Sequence, residues 1–326
     1  MQFAVHEPAI LAGTANAALA AAIADRLGLG LSPCRIERFP DGEIGVQLLA
    51  PVRHKTVFVV QPTSPPVNDH LIELLALIDA CRRSAAARIV VVVPYFGYAR
   101  ADKRHRRREP ITARMVAEIL EAVGIDQLVT LDLHTPQIEG FFHVPVDSLT
   151  AVPVLSAAIQ ERLPERTVVV SPDSGRVRMA TEYAHRLRLP LIVLHKQRQR
   201  GGETAITHVV GEACDRACLI IDDMIATGGT IVESAHALRD AGARPEILVA
   251  ATHGLFVETA VTKLVEAGVR LVFTTDTVPQ AGSDQLSLEV VSVAPLLASA
   301  VQRFVANESI SRASSSSTAC SRRTDR

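Results

Sequence analysis

Cys218-Leu-Ile-Ile-Asp-Asp-Met-Ile-Ala-Thr-Gly-Gly-Thr-Ile231 is the stretch from which the rest of the chain is read. The apolar run 219–221 reads as a buried strand that ends in two carboxylates, Asp222 and Asp223. A loop of small residues follows, Ala226, Thr227, Gly228, Gly229 and Thr230, and then a helix with Ile231, Ala235 and Leu238 on one side. A small-residue loop entering a helix presents backbone N–H groups and the positive end of the helix dipole, a combination that holds a phosphate. Two carboxylates just ahead of it can accept hydrogen bonds from a sugar diol or orient a metal ion. Phosphate and diol side by side describe a ribose 5-phosphate. The plainer alternative is an acidic strand end followed by an ordinary helix cap.

Outward from this stretch, strands and helices alternate almost throughout. Apolar strands are expected at 9–12, 56–61, 89–94, 127–133, 167–171, 191–194, 218–222, 247–252 and 271–275. Helical patterns lie at 67–83, with Leu71, Leu74, Leu75 and Ile78 on one face, and at 110–123, 175–187, 229–241 and 259–267. Near-continuous apolar strands between helices imply parallel sheets covered on both faces. The expected fold is α/β, with two doubly wound domains of mainly parallel sheet, 1–147 and 148–293, meeting at a seam near 144–150. Residues 307–326 contain a serine run and no apolar period, and read as a disordered tail.

Composition narrows the function. The 326 residues carry 34 basic and 35 acidic side chains, a net charge of -1 that does not suit a general polyanion binder. Trp is absent and aromatics are 4%, which disfavours stacking platforms for single-stranded nucleic acid. Five cysteines, an odd number, fit buried free thiols in a reducing cytoplasm better than disulfides or zinc. The N-terminus lacks a basic signal region and no stretch reads as a membrane span, so a cytoplasmic location is expected.

Five further segments carry candidate chemistry. Arg38-Phe-Pro-Asp-Gly-Glu43 reads as a turn between strands; Phe39 could pack on a nucleobase while Asp41 and Glu43 accept hydrogen bonds from it, or the segment is an exposed hairpin. Pro94-Tyr-Phe-Gly-Tyr-Ala-Arg-Ala-Asp-Lys103 leads into a basic run, with seven of the nine positions 100–108 Arg, Lys or His. That run fits a polyphosphate-receiving loop, a solvated basic loop or an anion-binding patch. Thr130-Leu-Asp-Leu-His-Thr135 places Asp132 and His134 at a strand end on the same side, for a metal ion, a phosphate or a structural cap. Asp173, in Val168-Val-Val-Ser-Pro-Asp-Ser-Gly-Arg-Val177, is a metal or water ligand or a helix cap. Leu194-His-Lys-Gln-Arg-Gln-Arg-Gly-Gly-Glu203 puts Lys196 and Arg198 on one side of an extended segment. Gly201 and Gly202 would let that segment close over a polyphosphate, and an exposed basic hairpin fits the same composition.

In this order, these segments and the Asp222 loop resemble the ribose-phosphate pyrophosphokinases, from about Ala9 to Phe304. Phe39-Pro-Asp-Gly-Glu43, Pro94-Tyr-Phe-Gly-Tyr-Ala-Arg100 with Asp102-Lys103, Leu131-Asp-Leu-His134 with Gln137-Ile-Glu-Gly-Phe-Phe142, Ser171-Pro-Asp-Ser-Gly175, Lys196-Gln-Arg198 and Ser292-Val-Ala-Pro-Leu-Leu297 carry the likeness. Departures stand at Ala101, where Gln is frequent, at Arg176 in place of a second Gly, at Ala226 in place of Asp, and at Gly201-Gly202.

The resemblance implies two similar phosphoribosyltransferase-like domains with a site between them, the first on the ATP side with segment 294–306 packing back on it. The implied reaction moves the β,γ-diphosphoryl group of ATP to the C1 hydroxyl of ribose 5-phosphate, giving PRPP (phosphoribosyl pyrophosphate) and AMP. Lys196 and Arg198 would be catalytic. Phe39, Asp41, Gly42, Glu43, Arg100, Ala101 and Asp102 would bind ATP. Arg198, Asp222, Asp223, Ala226, Thr227, Gly228, Gly229 and Thr230 would bind the sugar phosphate. His134 and Asp173 would hold Mg²⁺. The implied assembly is a homo-oligomer, hexamer or dimer, in which a neighbour completes the site; no nucleic acid or membrane is involved. The alternatives are a phosphoribosyltransferase, which has no need of the Phe39 hairpin or the Lys196 loop, and a non-catalytic regulatory subunit, which should have lost the Lys-x-Arg pair.

Overall fold

A computed structural model describes residues 8–104, 106–198, 204–280 and 284–310. The chain divides into two compact units, one drawn from Met1–Thr150, Thr277–Pro279 and Ser292–Arg326, the other from Ala151–Asp276 and Gln280–Val291. Both are α/β with mainly parallel sheets.

The first unit opens with β1 (Ala9–Ala12), α1 (Ala17–Arg26), and the hairpin β2 (Cys34–Arg38) and β3 (Ile44–Leu48). It continues with β4 (Thr56–Val60), α2 (Val67–Arg83), β5 (Arg88–Val93), α3 (Thr112–Val123), β6 (Gln127–Leu131) and β7 (Val146–Leu149). Its five-stranded sheet runs β1-β4-β5-β6-β7, every pair parallel. Val57, Phe58, Val59 and Val60 are all buried, as expected for a strand with neither face in water. Leu71, Leu74, Leu77, Ile78 and Cys81 form the buried stripe of α2, at the spacing of one helix face. Asp69 in its first turn and Arg82 and Arg83 in its last oppose the helix dipole.

The second unit contains α4 (Val152–Gln160), β8 (Thr167–Ser171), α5 (Val177–Leu187), β9 (Leu191–Arg198), β10 (Thr204–Val210) and β11 (Ala217–Ile225). Then come α6 (Gly229–Asp240), β12 (Ile247–Gly254), α7 (Ala260–Glu266), β13 (Val269–Thr275) and β14 (Leu288–Val291). The sheet order is β10-β9-β8-β11-β12-β13-β14, with β10 antiparallel to β9 and the other pairs parallel. From β8 the chain steps outward to β9 and β10, then returns to β11 and proceeds the other way. This reversal opens a crevice at the carboxyl ends of β8 and β11, the usual ligand position in such sheets.

The last helix, α8 (Ala294–Val305), belongs to the first unit and lies against α1. Its Phe304 ring stands edge-on to Phe58, centroids 5.3 Å apart, and Arg88 Cζ lies 4.4 Å from the Phe304 ring centre. Among the described residues no helix is long and apolar enough to cross a membrane.

Several expectations need correction. The strand expected at 218–222 continues through Ile225, so Asp222 and Asp223 lie inside β11. The strand expected at 191–194 continues to Arg198 and pairs with β10, which the sequence did not reveal as a strand. Of the tail expected from 307, residues 307–309 are exposed, Ile310 is 8% exposed, and the serine run lies outside the described residues. Cys81 and Cys218 are buried and their thiols are pushed up to about 12 by burial, but Cys214 is exposed.

Phe304→Ala removes both the edge-on ring contact and the stacked guanidinium, and should destabilise the protein by about 2 kcal/mol. Urea unfolding followed by circular dichroism checks this, and an unchanged midpoint would show that α8 does not anchor the first unit.

Candidate active site

In the second unit, the turn after β8 is organised by Asp173. Its Oδ1 accepts from the backbone N–H of Gly175 at 2.8 Å and of Arg176 at 3.1 Å, while the Ser171 hydroxyl donates to the Asp173 carbonyl at 2.8 Å. This is an Asx turn ahead of the helix, not the helix cap considered above, since α5 starts from Arg176 with no side-chain cap; the turn commits one of the two carboxylate oxygens. From the same turn, the Arg176 side chain reaches the next strand. Its Nε lies 3.3 Å from Asp222 Oδ1 and 3.3 Å from Asp223 Oδ1. The three side chains are 11%, 11% and 2% exposed. Asp223 N–H also donates to Asp222 Oδ1 at 2.9 Å.

Beyond β11 the loop behaves as its sequence suggests. Gly228 has φ 77, a left-handed conformation that a side chain strains, and it is the N-cap of α6. No side chain caps this helix and its first turn holds no acidic residue, an arrangement whose leading N–H groups can receive an anion. Thr227 is exposed, and Ala226, Gly229 and Thr230 are half-buried.

Lys196 and Arg198 lie on β9, opposite Ile206 and Thr204 of β10. Their side chains, with Gly201 and Gly202, lie outside the described residues. The described backbone of β9 and β10 forms an antiparallel pair there.

In the first unit, the β2–β3 turn is closed by Phe39 N–H to the Glu43 carbonyl at 2.8 Å and Gly42 N–H to the Phe39 carbonyl at 2.9 Å. Asp41 Oδ1 accepts from Glu43 N–H at 3.1 Å, and Gly42 takes φ 94. Phe39 is 44% exposed, an aromatic face presented to solvent. After β5, Gly97 is required: a Cβ there would sit 2.7 Å from the Thr63 carbonyl oxygen. Beyond it a cavity of about 660 Å³ is lined by Asn68, Tyr95, Tyr98, Arg100, Ala101 and Lys103, among others. Asp102 is buried at the edge of this segment and accepts from the Thr135 hydroxyl at 2.8 Å, which ties it to the loop of His134. β6 ends at Leu131 and Asp132 turns to φ 36, so the strand alternation invoked to align Asp132 with His134 stops before them. Arg176, Thr135, Asn68 and Tyr98 were not assigned roles from sequence.

Among the described residues no three His, Cys, Asp or Glu side chains converge on a metal position. Magnesium dehydrates reluctantly and commonly takes one or two protein groups plus substrate phosphates. His134 lies in the first unit and Asp173 in the second, and the Asp173 Oδ1 is occupied by its own turn, so within each unit the protein offers at most one such group to an ion that arrives on its substrate.

Burial, the adjacent Asp223 charge and a hydrogen bond with Asp223 push the Asp222 carboxyl well above the usual carboxylate range; Arg176 opposes them. Folding therefore favours protonated Asp222. That contribution is complete below the ordinary carboxylate range and is lost as pH rises through the raised value. Asp222→Asn, which mimics the protonated shape, should raise the melting temperature at pH 8 by about 2–4 °C, the size of a 1 kcal/mol change. The gain should vanish below about pH 4. A melting temperature unchanged or lowered at pH 8 contradicts this electrostatic picture.

Residues 8–124 match the family described as the N-terminal domain of ribose phosphate pyrophosphokinase, and residues 199–314 match the phosphoribosyl synthetase-associated domain. A ribose-phosphate pyrophosphokinase of Thermotoga maritima is 41% identical over 309 residues, 94% of this chain and 98% of that one. One from Staphylococcus aureus is 42% identical over 300 residues, 91% of this chain and 93% of that one. The crystal structure of phosphoribosylpyrophosphate synthetase from Mycobacterium smegmatis superposes with a TM-score of 0.86 at 41% identity, covering 92% of this chain and 99% of that one.

Proposed function

The chain belongs to the ribose-phosphate pyrophosphokinase family, and from that premise we infer that it makes PRPP and AMP from ATP and ribose 5-phosphate. The observation that carries this is similarity at above 40% identity along nearly the full length of both chains. A phosphoribosyltransferase would not share the first unit, and a regulatory subunit would not be expected to keep Lys196 and Arg198.

The C1 hydroxyl of ribose 5-phosphate attacks the β-phosphorus of ATP. The bond from that phosphorus to the α–β bridging oxygen breaks and AMP leaves. Such transfers depend on positioning and charge neutralisation more than on covalent catalysis. In the second unit, the N–H groups of Thr227, Gly228, Gly229 and Thr230, beside Ala226, hold the 5-phosphate, a role supported by the uncapped start of α6. Asp222 and Asp223 accept from the ribose hydroxyls. Lys196 and Arg198 meet charge on the transferring group, and Arg198 also reaches the sugar phosphate. In the first unit, Phe39 stacks on adenine with Asp41, Gly42 and Glu43 around it, supported by its exposure at the hairpin tip. Arg100 and Ala101 receive the ATP phosphates at the cavity they line, and Asp102, buried beside them, completes the ATP-binding segment. Mg²⁺ held by His134 and Asp173, directly or through water, would neutralise ATP oxygens. The protein works in the cytoplasm as a homo-oligomer, hexamer or dimer, whose neighbour contributes the Phe39 hairpin.

Coupled assay of AMP and PRPP formation tests the reading. Lys196→Ala removes a charge that matters more in the transition state than in the ground state, so turnover should fall about a hundredfold or more with KM little changed. Arg198→Ala should fall similarly and also weaken ribose 5-phosphate. Turnover of Lys196→Ala within about threefold of wild type, well under 1 kcal/mol of barrier, would sink the catalytic assignment.

A further inference from the structure

Arg176 is a cation that the structure places against both carboxylates assigned to the ribose site. Its guanidinium Nε is equidistant from Asp222 Oδ1 and Asp223 Oδ1, at 3.3 Å each. All three side chains are nearly out of water, where opposite charges attract more strongly and an uncompensated charge is costly. The arginine is also fixed at its root. Its N–H donates to Asp173, and its carbonyl accepts from Ala180 N–H at 2.9 Å as α5 begins. A divalent ion between two carboxylates would do the same electrostatic work, but it must shed water and leave with solvent, whereas a guanidinium is permanently charged and permanently present.

We propose that Arg176 is the built-in counter-cation of the Asp222–Asp223 pair and takes the place of a divalent metal there, so that this chain binds ribose 5-phosphate without metal at the sugar site. The proposal rests on the ribose-site assignment made above. Arg176 acts through the two aspartates and is a positioning residue; the metal requirement that remains belongs to ATP.

The test is calorimetric binding of ribose 5-phosphate to the full chain, in EDTA and in excess Mg²⁺, for wild type, Arg176→Gln and Arg176→Lys. Paramagnetic counting of bound Mn²⁺ in the sugar complex accompanies it. Wild type should bind the sugar equally well, within about twofold, in both conditions. Arg176→Gln should lose about tenfold or more in EDTA, about 1.4 kcal/mol, regain most of it with Mg²⁺, and hold one more Mn²⁺ than wild type. That recovery also reports that the variant is folded. Arg176→Lys, which keeps the charge, should remain metal-independent. The proposal is overturned if wild type needs Mg²⁺ for the sugar, if Arg176→Gln binds like wild type in EDTA, or if its loss is not recovered by metal. Absence of sugar binding by wild type in both conditions would overturn the ribose-site assignment itself, a distinguishable result.

Discussion

Two adjacent carboxyl groups buried within a strand need a cation beside them or a retained proton, and the adjacency of β8 and β11 brings the cation, Arg176, to both. Because β8 and β11 are neighbours, the turn that follows one reaches the carboxylates carried by the other. Asp173 shapes that turn, Arg176 crosses from it, and the β11 exit leads directly into the start of α6. One topological feature therefore brings the two carboxylates, Arg176 and the start of α6 to the same end of the sheet.

The first unit has no reversal of strand order in its sheet, and the groups proposed for ATP lie on a hairpin outside the main sheet and on the segment after β5. The hairpin tip is stiffened by backbone hydrogen bonds and by Asp41, which leaves Phe39 exposed on a defined turn. A rigid exposed aromatic is poor for the stability of an isolated chain and well suited to stack on a flat base. The burial of Asp222 follows the same logic: a carboxyl that the fold would rather keep protonated is retained where a sugar needs an acceptor.

Much of this was legible in the sequence, where apolar pattern dominates. The strands at 9–12 and 167–171 and the helix at 67–83 coincide with the expected bounds, the strands because they are short apolar runs and the helix because Leu71, Leu74, Leu75 and Ile78 recur at helical spacing between polar residues. Edge strands were missed: β7 and β14 carry Asp147, Ser148 and Glu289 on short segments with one open side, so neither period nor apolarity marks them. The two aspartates were taken as the strand exit because charge normally ends a buried strand; here the strand continues since Arg176 compensates them. Arg176 itself was visible only as an unusual residue after Gly175. Its partner lies 46 positions away, and nothing short of the strand order shows that the two meet. The motif order, by contrast, carried the family without any geometry.

The most direct measurement of the central claim follows the phosphorus atoms. ATP labelled at the β-phosphorus is incubated with the protein, ribose 5-phosphate and Mg²⁺, and the products are separated. Diphosphoryl transfer predicts that the label moves with the sugar into PRPP while unlabelled AMP appears in equal amount. Label retained in ADP, with a single γ-phosphate passed to the sugar, or no label on the sugar at all, would contradict the account.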